Sequence, residues 1–174
     1  MSQAIQANVM KSIRVGKVVL NIGVGKSGEA IERAKKVLEQ VTGQRPSQSR
    51  AKKSIRDFGV HKGEPIGVVI TLRGPQTTDL LNRLLAAREK KLAQSCFDPR
   101  GSVSFGITEH IEIPGIRYDP EIGILGMNVS VVLERPGYRV SRRTRRRGRI
   151  GGEHIVRKEA AIDYFRSQFG VVVE

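Results

Sequence analysis

Cysteine and tryptophan are almost missing from this 174-residue sequence, which has one cysteine, Cys96, and no tryptophan. A single cysteine excludes an internal disulfide framework and any zinc site built from several cysteines, and it fits a reducing cytoplasm. We expect Cys96 to behave as a small buried hydrophobic residue. Aromatic residues supply only 5% of the chain, so valine, isoleucine and leucine must fill most of the core.

Long hydrophobic segments are also missing. No apolar run approaches the roughly 20 residues that cross a bilayer. Residues 1–6 have neither the basic region nor the apolar region of a signal peptide. No amphipathic membrane-surface helix or lipid anchor is recognisable. We therefore expect a cytoplasmic protein with no membrane partner.

Acidic residues are scarce relative to basic ones. The chain has 17 Asp and Glu against 31 Lys and Arg, which gives a formal net charge of +14. Like charge at this density opposes compaction unless a polyanion neutralises it. The phosphate backbone of a nucleic acid is the usual polyanion, although charge alone does not separate RNA from DNA.

The basic residues are concentrated in two segments. The stronger one holds seven arginines within eleven residues, namely Arg139, Arg142, Arg143, Arg145, Arg146, Arg147 and Arg149. The weaker one, residues 44–56, reads as a strand edge or a loop and carries Arg45, Arg50, Lys52, Lys53 and Arg56. Segments of this kind often become ordered on RNA. We expect the three separated histidines, His61, His110 and His154, at the surface or in contact with RNA, because they show no metal-binding spacing.

Alternating apolar residues predict strands at residues 18–24, 66–73, 103–107 and 127–133. Helices are predicted after Ser27 as the N-cap, from Thr77 or Thr78 with an apolar stripe reaching Leu92, and over residues 158–169. Strands with one apolar and one polar face suit a mostly antiparallel sheet covered by helices on one side. Asn21, Thr71 and Arg73 project opposite the apolar faces, so we expect them on the free side.

One enzyme-like motif, Gly23-Val24-Gly25-Lys26-Ser27, follows a strand and precedes a helix, where a phosphate-binding loop would lie. That loop requires an earlier glycine, and Leu20 stands within a strand instead. A helix N-terminus near an RNA phosphate is the better interpretation of the turn. No Gly-x-Ser-x-Gly elbow supports a hydrolase. We expect no enzyme activity, no cofactor, no metal and no small-molecule substrate.

Several segments together resemble one family. They read, in order, NVM at residues 8–10, KVVLNIGVG at 17–25, TGQRP at 42–46, AKKSI at 51–55, GEPIGVVITLRG at 63–74, DPRG at 98–101 and FGI at 105–107. They resemble the fifth protein of the large ribosomal subunit, which binds 5S rRNA in the central protuberance. The arginine-rich segment and the ending Phe169-Gly170-Val171 resemble the archaeal version. Val9 replaces a proline that is frequent in the family.

The resemblance implies an α+β fold, with a curved, mostly antiparallel sheet, helices packed on one face and the other face open for RNA. It implies 5S rRNA recognition by Asn21, Gln44, Phe58 and Thr71, to which the strand pattern adds Arg73. It further implies that a loop at residues 49–62 approaches P-site tRNA. The basic side chains of this loop are Arg50, Lys52, Lys53, Arg56, His61 and Lys62.

Other partners implied by the resemblance are large-subunit rRNA, neighbouring large-subunit proteins and a small-subunit head protein across an intersubunit bridge. We expect one domain over residues 1–174, which includes an arginine-rich extension at 137–157 and a closing helix and short strand at 158–174. Two alternatives stay open: a generic basic RNA-binding protein or chaperone, and a nucleotide-binding enzyme that uses residues 23–27.

Overall fold

The computed structural model describes residues 8–25 and 27–174. The expectation of no signal peptide at residues 1–6, and Lys26 of the glycine-rich turn, lie outside the described residues. The strands are β1 (Arg14–Gly23), β2 (Ser47–Arg50), β3 (Pro65–Leu72), β4 (Lys91–Leu92), β5 (Ser102–Ile107), β6 (Met127–Glu134) and β7 (Val172–Val173). The helices are α1 (Glu29–Thr42), α2 (Gln76–Ala86), α3 (Arg139–Arg142) and α4 (Lys158–Phe169).

Five strands form an antiparallel sheet in the order β2-β3-β1-β6-β5. The central strand β1 pairs with both halves of the chain, because Leu20 lies opposite Ile70 of β3 and Val129 of β6. The short strands β4 and β7 form a separate parallel pair. The α+β fold with a mostly antiparallel sheet, which the sequence predicts, is confirmed.

Period-two alternation explains which side of the sheet is covered. In β1, Val18, Leu20 and Ile22 are buried, whereas Val19 and Asn21 between them are only half-buried. The apolar side chains pack against the stripes of α1, α2 and α4 in one core. Fully burying a side chain of this size stabilises the fold by about 1.5–3 kcal/mol relative to exposure, so a register slip of one residue would be costly.

The helix starts and stops show where local sequence rules hold. Helix α1 ends at Thr42 and is followed by Gly43, whose φ of 67° is the left-handed conformation that glycine adopts without strain. The expected N-cap at Ser27 is wrong, because the cap position is Gly28 and the Ser27 hydroxyl donates to Glu64 at 2.5 Å. Leu92 is not in the α2 stripe, because the helix stops at Ala86 and Leu92 pairs with Val173.

The surface prediction is wrong for His110. His110 is only 1% exposed, and its Nδ1 accepts a hydrogen bond from the Leu125 amide at 3.3 Å. His154 is half-buried with Nε2 2.8 Å from the Pro136 carbonyl oxygen. His61 lies exposed at the surface as expected. The backbone therefore contacts one nitrogen of each of the His110 and His154 rings, whereas Nε2 of His110 is buried without a hydrogen-bond partner among the described residues.

An aromatic cluster attaches the C-terminal helix to the sheet. Phe165 of α4 is fully buried, and its ring meets Phe97 edge-on at 5.7 Å and Phe169 at 5.4 Å. Cys96 packs half-buried beside this core. Across the described part of the chain, no helix is long and apolar enough to cross a membrane.

Candidate nucleic-acid interface

The open face of the sheet is the side of β1, β3, β5 and β6 opposite the helices. Asn21 lies at its centre, between Val69 of β3 and Asn128 of β6. One step along the strands, the exposed Thr71 lies opposite Val19. The face therefore presents short polar side chains, which suit the shallow, hydroxyl-rich minor groove of RNA.

Asn21 borders a shallow depression of about 540 Å³ on the open face. Asn128, Arg88 and Thr108 provide its other polar groups, and Gly23 and Gly106 line it without side chains. A Cβ at Gly23 would meet nothing within 4 Å, so the surface is open there. Missing side chains let a ligand backbone approach the sheet closely.

Gln44 and Arg73 meet in a cleft of about 560 Å³ at the end of the sheet. Arg73 follows the last residue of β3. Gln44 lies in the turn after α1, where its backbone amide donates a hydrogen bond to the Thr42 hydroxyl at 3.3 Å. Arg83 braces the cleft by donating to the Val41 carbonyl. This pair therefore lies at the end of the sheet beyond Thr71, in a cleft that residues of α1 and α2 also line.

Phe58 lies at the opposite end, in the loop between β2 and β3. Its ring is 75% exposed, which is unusual for a large hydrophobic side chain in a chain with few aromatics. Phe58 lines an apolar pocket of about 610 Å³, which Ile55 and Ile66 also line and which Lys52 and Lys53 flank. An exposed ring beside ammonium groups can stack on a base near phosphate.

The loop at residues 49–62 is a folded tip at the edge of the sheet. Ile55 and Val60 form an isolated antiparallel bridge, and the Lys62 amide donates to the Ser54 hydroxyl at 2.9 Å. The six basic side chains expected near tRNA are all exposed, namely Arg50, Lys52, Lys53, Arg56, His61 and Lys62. The loop therefore presents positive charge on an ordered backbone.

Glu64 ties this loop to the turn after β1. One carboxylate oxygen accepts from the His61 amide at 2.9 Å and the other accepts from the Ser27 hydroxyl at 2.5 Å. The His61 amide, and then the Ser27 hydroxyl, hold the pKa of Glu64 below its ordinary value of 4.5. The carboxylate is therefore charged at neutral pH, with its oxygens directed to the loop base.

The described residues of the glycine-rich turn use backbone amides within the fold. The amides of Val24 and Gly25 both donate to the Ile66 carbonyl, so they are already used within the fold. Glu29 and Glu32 lie in the first turn of α1. Carboxylates there occupy the region of the helix dipole that would attract a phosphate, which disfavours the phosphate contact expected at this N-terminus.

The arginine segment (residues 139–149) is folded against the end of the sheet. It begins as α3, and beyond this helix the Gly148 amide donates to the Val140 carbonyl at 3.1 Å. All seven of its arginines are exposed. Arg142 forms an ion pair with Glu134, which is only 7% exposed and also pairs with Arg14 at 3.6 Å.

An acidic loop contrasts with the rest of the surface. Residues 109–126 contain four acidic residues and one basic residue, namely Glu109, Glu112, Asp119, Glu121 and Arg117. Buried Ile113 and Ile122 attach the loop to the core, while Tyr118 and Ile124 are 55% and 56% exposed. This loop is unsuited to a phosphate backbone, because its net charge is negative.

Sequence reasoning missed several polar residues of the open face. Ser104 and Ser130 have hydroxyl oxygens 3.1 Å apart on neighbouring strands, and Asn128 lies beside Asn21. The period-two pattern of β5 and β6 contained this signal. The pattern identifies which side chains point away from the core, but not which strands are neighbours. The pairing of β1 with β6 is what places Asn128 in the same depression as Asn21.

Two family models match this chain. A family model described as ribosomal protein L5 matches residues 8–61, and a second one, described as the C-terminus of the same ribosomal family, matches residues 65–170. The chain belongs to the ribosomal protein L5 family. The two matched segments share one sheet, because β1 lies between β3 and β6.

Similar L5-family proteins come from archaea. Each of the following is named large ribosomal subunit protein uL5. The protein from Pyrobaculum aerophilum is 50% identical over 170 residues, which cover 98% of this chain and 95% of the relative. The protein from Nitrosopumilus maritimus is 51% identical, covering 94% and 95%. That from Sulfurisphaera tokodaii is 47% identical, covering 99% and 98%.

Proposed function

We propose that this chain is a structural protein of the large ribosomal subunit that binds 5S rRNA through the open face of its sheet. The observation that carries the proposal is the depression around Asn21, which is polar, free of helices and lined by glycines. Membership of the L5 family supports the ribosomal assignment. The place of action is then the cytoplasmic ribosome, in the central protuberance, with 5S rRNA as the main partner.

The expected 5S contacts form a line along β3 and β1. Gln44 and Arg73 lie at one end, Thr71 and Asn21 on the face, and Phe58 at the other end. Arg73 is eight positions along the chain from Pro65, which corresponds to roughly 26 Å of strand at about 3.3 Å per residue. The two ends would therefore contact separate points on the RNA, which favours specific binding over a single electrostatic attraction.

The loop at residues 49–62 supports a contact with P-site tRNA. It projects from the edge strand β2, and its six basic side chains face solvent. Replacing Arg56 and Lys62 by Gln should weaken tRNA occupancy of the P site in reconstituted ribosomes. Binding of the free protein to 5S rRNA should change much less, and an equal loss in both assays would contradict a separate tRNA role.

The acidic loop is our candidate for the bridge to a small-subunit head protein. Its negative charge disfavours rRNA and suits a basic protein, while Tyr118 and Ile124 provide exposed apolar area. Charge reversal with Asp119→Lys and Glu121→Lys should weaken subunit association. The same variant should retain binding to 5S rRNA, and a loss of 5S binding would contradict this assignment.

The function proposed is binding and assembly, not catalysis. The archaeal relatives are named as large-subunit ribosomal proteins. The competing enzyme hypothesis uses residues 23–27, where the amides of Val24 and Gly25 are already bonded to Ile66. Equilibrium dialysis with labelled ATP or GTP and magnesium tests it, and saturable binding would support the enzyme hypothesis.

A competition titration separates specific 5S recognition from generic basic binding. Labelled 5S rRNA is bound at fixed salt and challenged with unlabelled 5S rRNA, an unrelated RNA of equal length and duplex DNA. We expect unlabelled 5S rRNA to compete far better than the other two. Equal competition by all three would instead support a generic RNA-binding protein or chaperone, because phosphate contacts alone carry no sequence information.

A further inference from the structure

A second cleft lies where the arginine segment crosses the end of the open face. Its volume is about 780 Å³, within the size range of ligand pockets. Arg100, Arg142, Arg147 and Arg149 line it, together with the apolar side chains of Val132 and Ile155. The cleft therefore combines guanidinium groups with an apolar lining.

The cleft is continuous with the proposed 5S surface. Val132 of β6 lies opposite Lys17 and Ser102, on the same side of the sheet as Asn128. Val132 is four positions along the strand from Asn128, or roughly 13 Å at about 3.3 Å per residue. An RNA that covers Asn21 and Asn128 would therefore extend to the cleft.

Glu134 organises the arginine segment in the absence of RNA. It lies on the open-face side of β6 by alternation, yet it is buried, and its carboxylate pairs with Arg142 of α3 and Arg14 of β1. The pair connects α3 directly to the sheet. A buried carboxylate in this position requires its charged partners, so the segment is held in place before a ligand arrives.

Gly16 provides the space for this carboxylate. The register of β1 shifts between Val15 and Lys17, which leaves Gly16 as an irregularity opposite the end of β6. A Cβ on Gly16 would lie 2.6 Å from Cδ of Glu134 and 2.7 Å from its Cγ. These distances are too short for any real contact, so a side chain at position 16 would displace the Glu134 carboxylate.

We propose that this cleft is a preformed site for an unpaired nucleotide of 5S rRNA, and that Glu134 is the positioning residue that builds it. Guanidinium groups bind phosphate bidentately and stack on bases. Proteins that read RNA by sequence bind unstacked bases of single strands, loops and bulges. The inference rests on the proposed function. It assigns the cleft-lining arginines to a pocket for one nucleotide, whereas the proposed function alone requires only general electrostatic attraction of the RNA backbone by these arginines.

Two matched double variants test the pocket. Arg147→Gln with Arg149→Gln removes two charges that line the cleft, whereas Arg139→Gln with Arg145→Gln removes two exposed charges of the same segment that do not line it. Anisotropy titrations of labelled 5S rRNA at fixed salt should show a loss about tenfold or more greater for the first pair, as expected for lost charge-assisted hydrogen bonds. Equal losses would overturn the proposal.

Chemical probing of the bound RNA identifies the ligand. Acylation of 2′-hydroxyl groups should reveal an unpaired 5S nucleotide that the wild-type protein protects. This nucleotide should become reactive again when the Arg147→Gln, Arg149→Gln variant is bound, and it should stay protected with the Arg139→Gln, Arg145→Gln variant. Failure to find such a nucleotide would overturn the nucleotide assignment. Failure of the proposed function is distinguishable, since wild-type protein would then not discriminate 5S rRNA from unrelated RNA.

Hydrogen exchange in the free protein tests the role of Glu134. The Gly148 and Arg143 amides, which donate to Val140 and Arg139, should be protected without RNA. Glu134→Gln and Gly16→Ala should both accelerate their exchange while leaving the β1 and β3 amides protected. Fast exchange of Gly148 and Arg143 in the wild-type protein would show that the segment is not preorganised and would overturn the positioning role.

Discussion

Individual side chains divide between buried and exposed positions that sequence alone did not separate. Histidines illustrate the limit, because His110 and His61 have the same chemistry and no informative spacing. Only the fold shows that His110 is buried and accepts a hydrogen bond from the Leu125 amide, while His61 is exposed on a basic loop. Burial depends on which distant segments pack together, so a local pattern cannot supply it.

His110 should be a stability residue. His110→Leu leaves the part-buried Leu125 amide without its acceptor, and an unsatisfied buried group costs about 1–3 kcal/mol. Urea unfolding should show this loss, whereas His61→Leu at the exposed position should change the free energy of unfolding by less than about 0.5 kcal/mol. Equal effects of the two substitutions would contradict the buried role of His110.

Glu64 should make the base of the 49–62 loop sensitive to acid. Its folded pKa is lowered below 4.5, so the stabilisation is complete above 4.5 and is lost as pH falls through the folded pKa. The His61 amide proton should shift in an NMR titration with a midpoint below 4.5, and Glu64→Gln should remove that shift. A midpoint at or above 4.5 would contradict the hydrogen-bonded arrangement.

At the scale of elements, periodicity predicted more than it did at the scale of residues. The strand at residues 127–133 and the helix at 158–169 were identified correctly, because their apolar residues recur at intervals of two and of three to four. The end of α2 was missed. Glu89 and Lys90 adopt positive φ after it. This backbone conformation is uncommon in residues other than glycine, so the sequence gives no signal for it.

The same substitution at two phenylalanines on different elements should affect different properties, stability at one position and RNA binding at the other. Phe165→Ala empties a fully buried position in α4 and should cost about 3–5 kcal/mol of unfolding free energy. Phe58→Ala, on the exposed loop, should leave stability nearly unchanged and weaken 5S binding by about 1–3 kcal/mol if the ring stacks on a base. Thermal unfolding and RNA titration together check both, and unchanged 5S affinity of Phe58→Ala would contradict the stacking role.

For the whole molecule, net charge could be predicted from the sequence, whereas the order of the strands in the sheet could not. Net charge was available from composition alone, and it indicated a polyanionic partner without choosing one. Strand order was not available, because nothing in β1 states that β3 and β6 are its neighbours. Topology nevertheless decides that Asn21 and Asn128 share one depression and that Gln44 and Arg73 line one cleft at the end of the sheet.

Salt dependence should report the number of phosphates neutralised. Each contact to duplex RNA phosphate should add roughly −0.9 to the slope of log affinity against log salt, the value that applies to B-form DNA. The control pair Arg139→Gln with Arg145→Gln should reduce this slope, because both arginines are exposed in the basic segment. Titrations at several salt concentrations check it, and an unchanged slope would mean that these arginines do not face phosphate.

The central claim is that the open face, and not the helical side, recognises 5S rRNA. Asn21→Ala and Asn82→Ala remove the same amide, one from the open face and one from the exposed side of α2. Affinity for 5S rRNA, measured at one salt concentration on variants with unchanged unfolding free energy, tests it most directly. We predict a loss of about tenfold for Asn21→Ala, as for lost hydrogen bonds, and no loss for Asn82→Ala; equal affinities of the two variants would contradict the account.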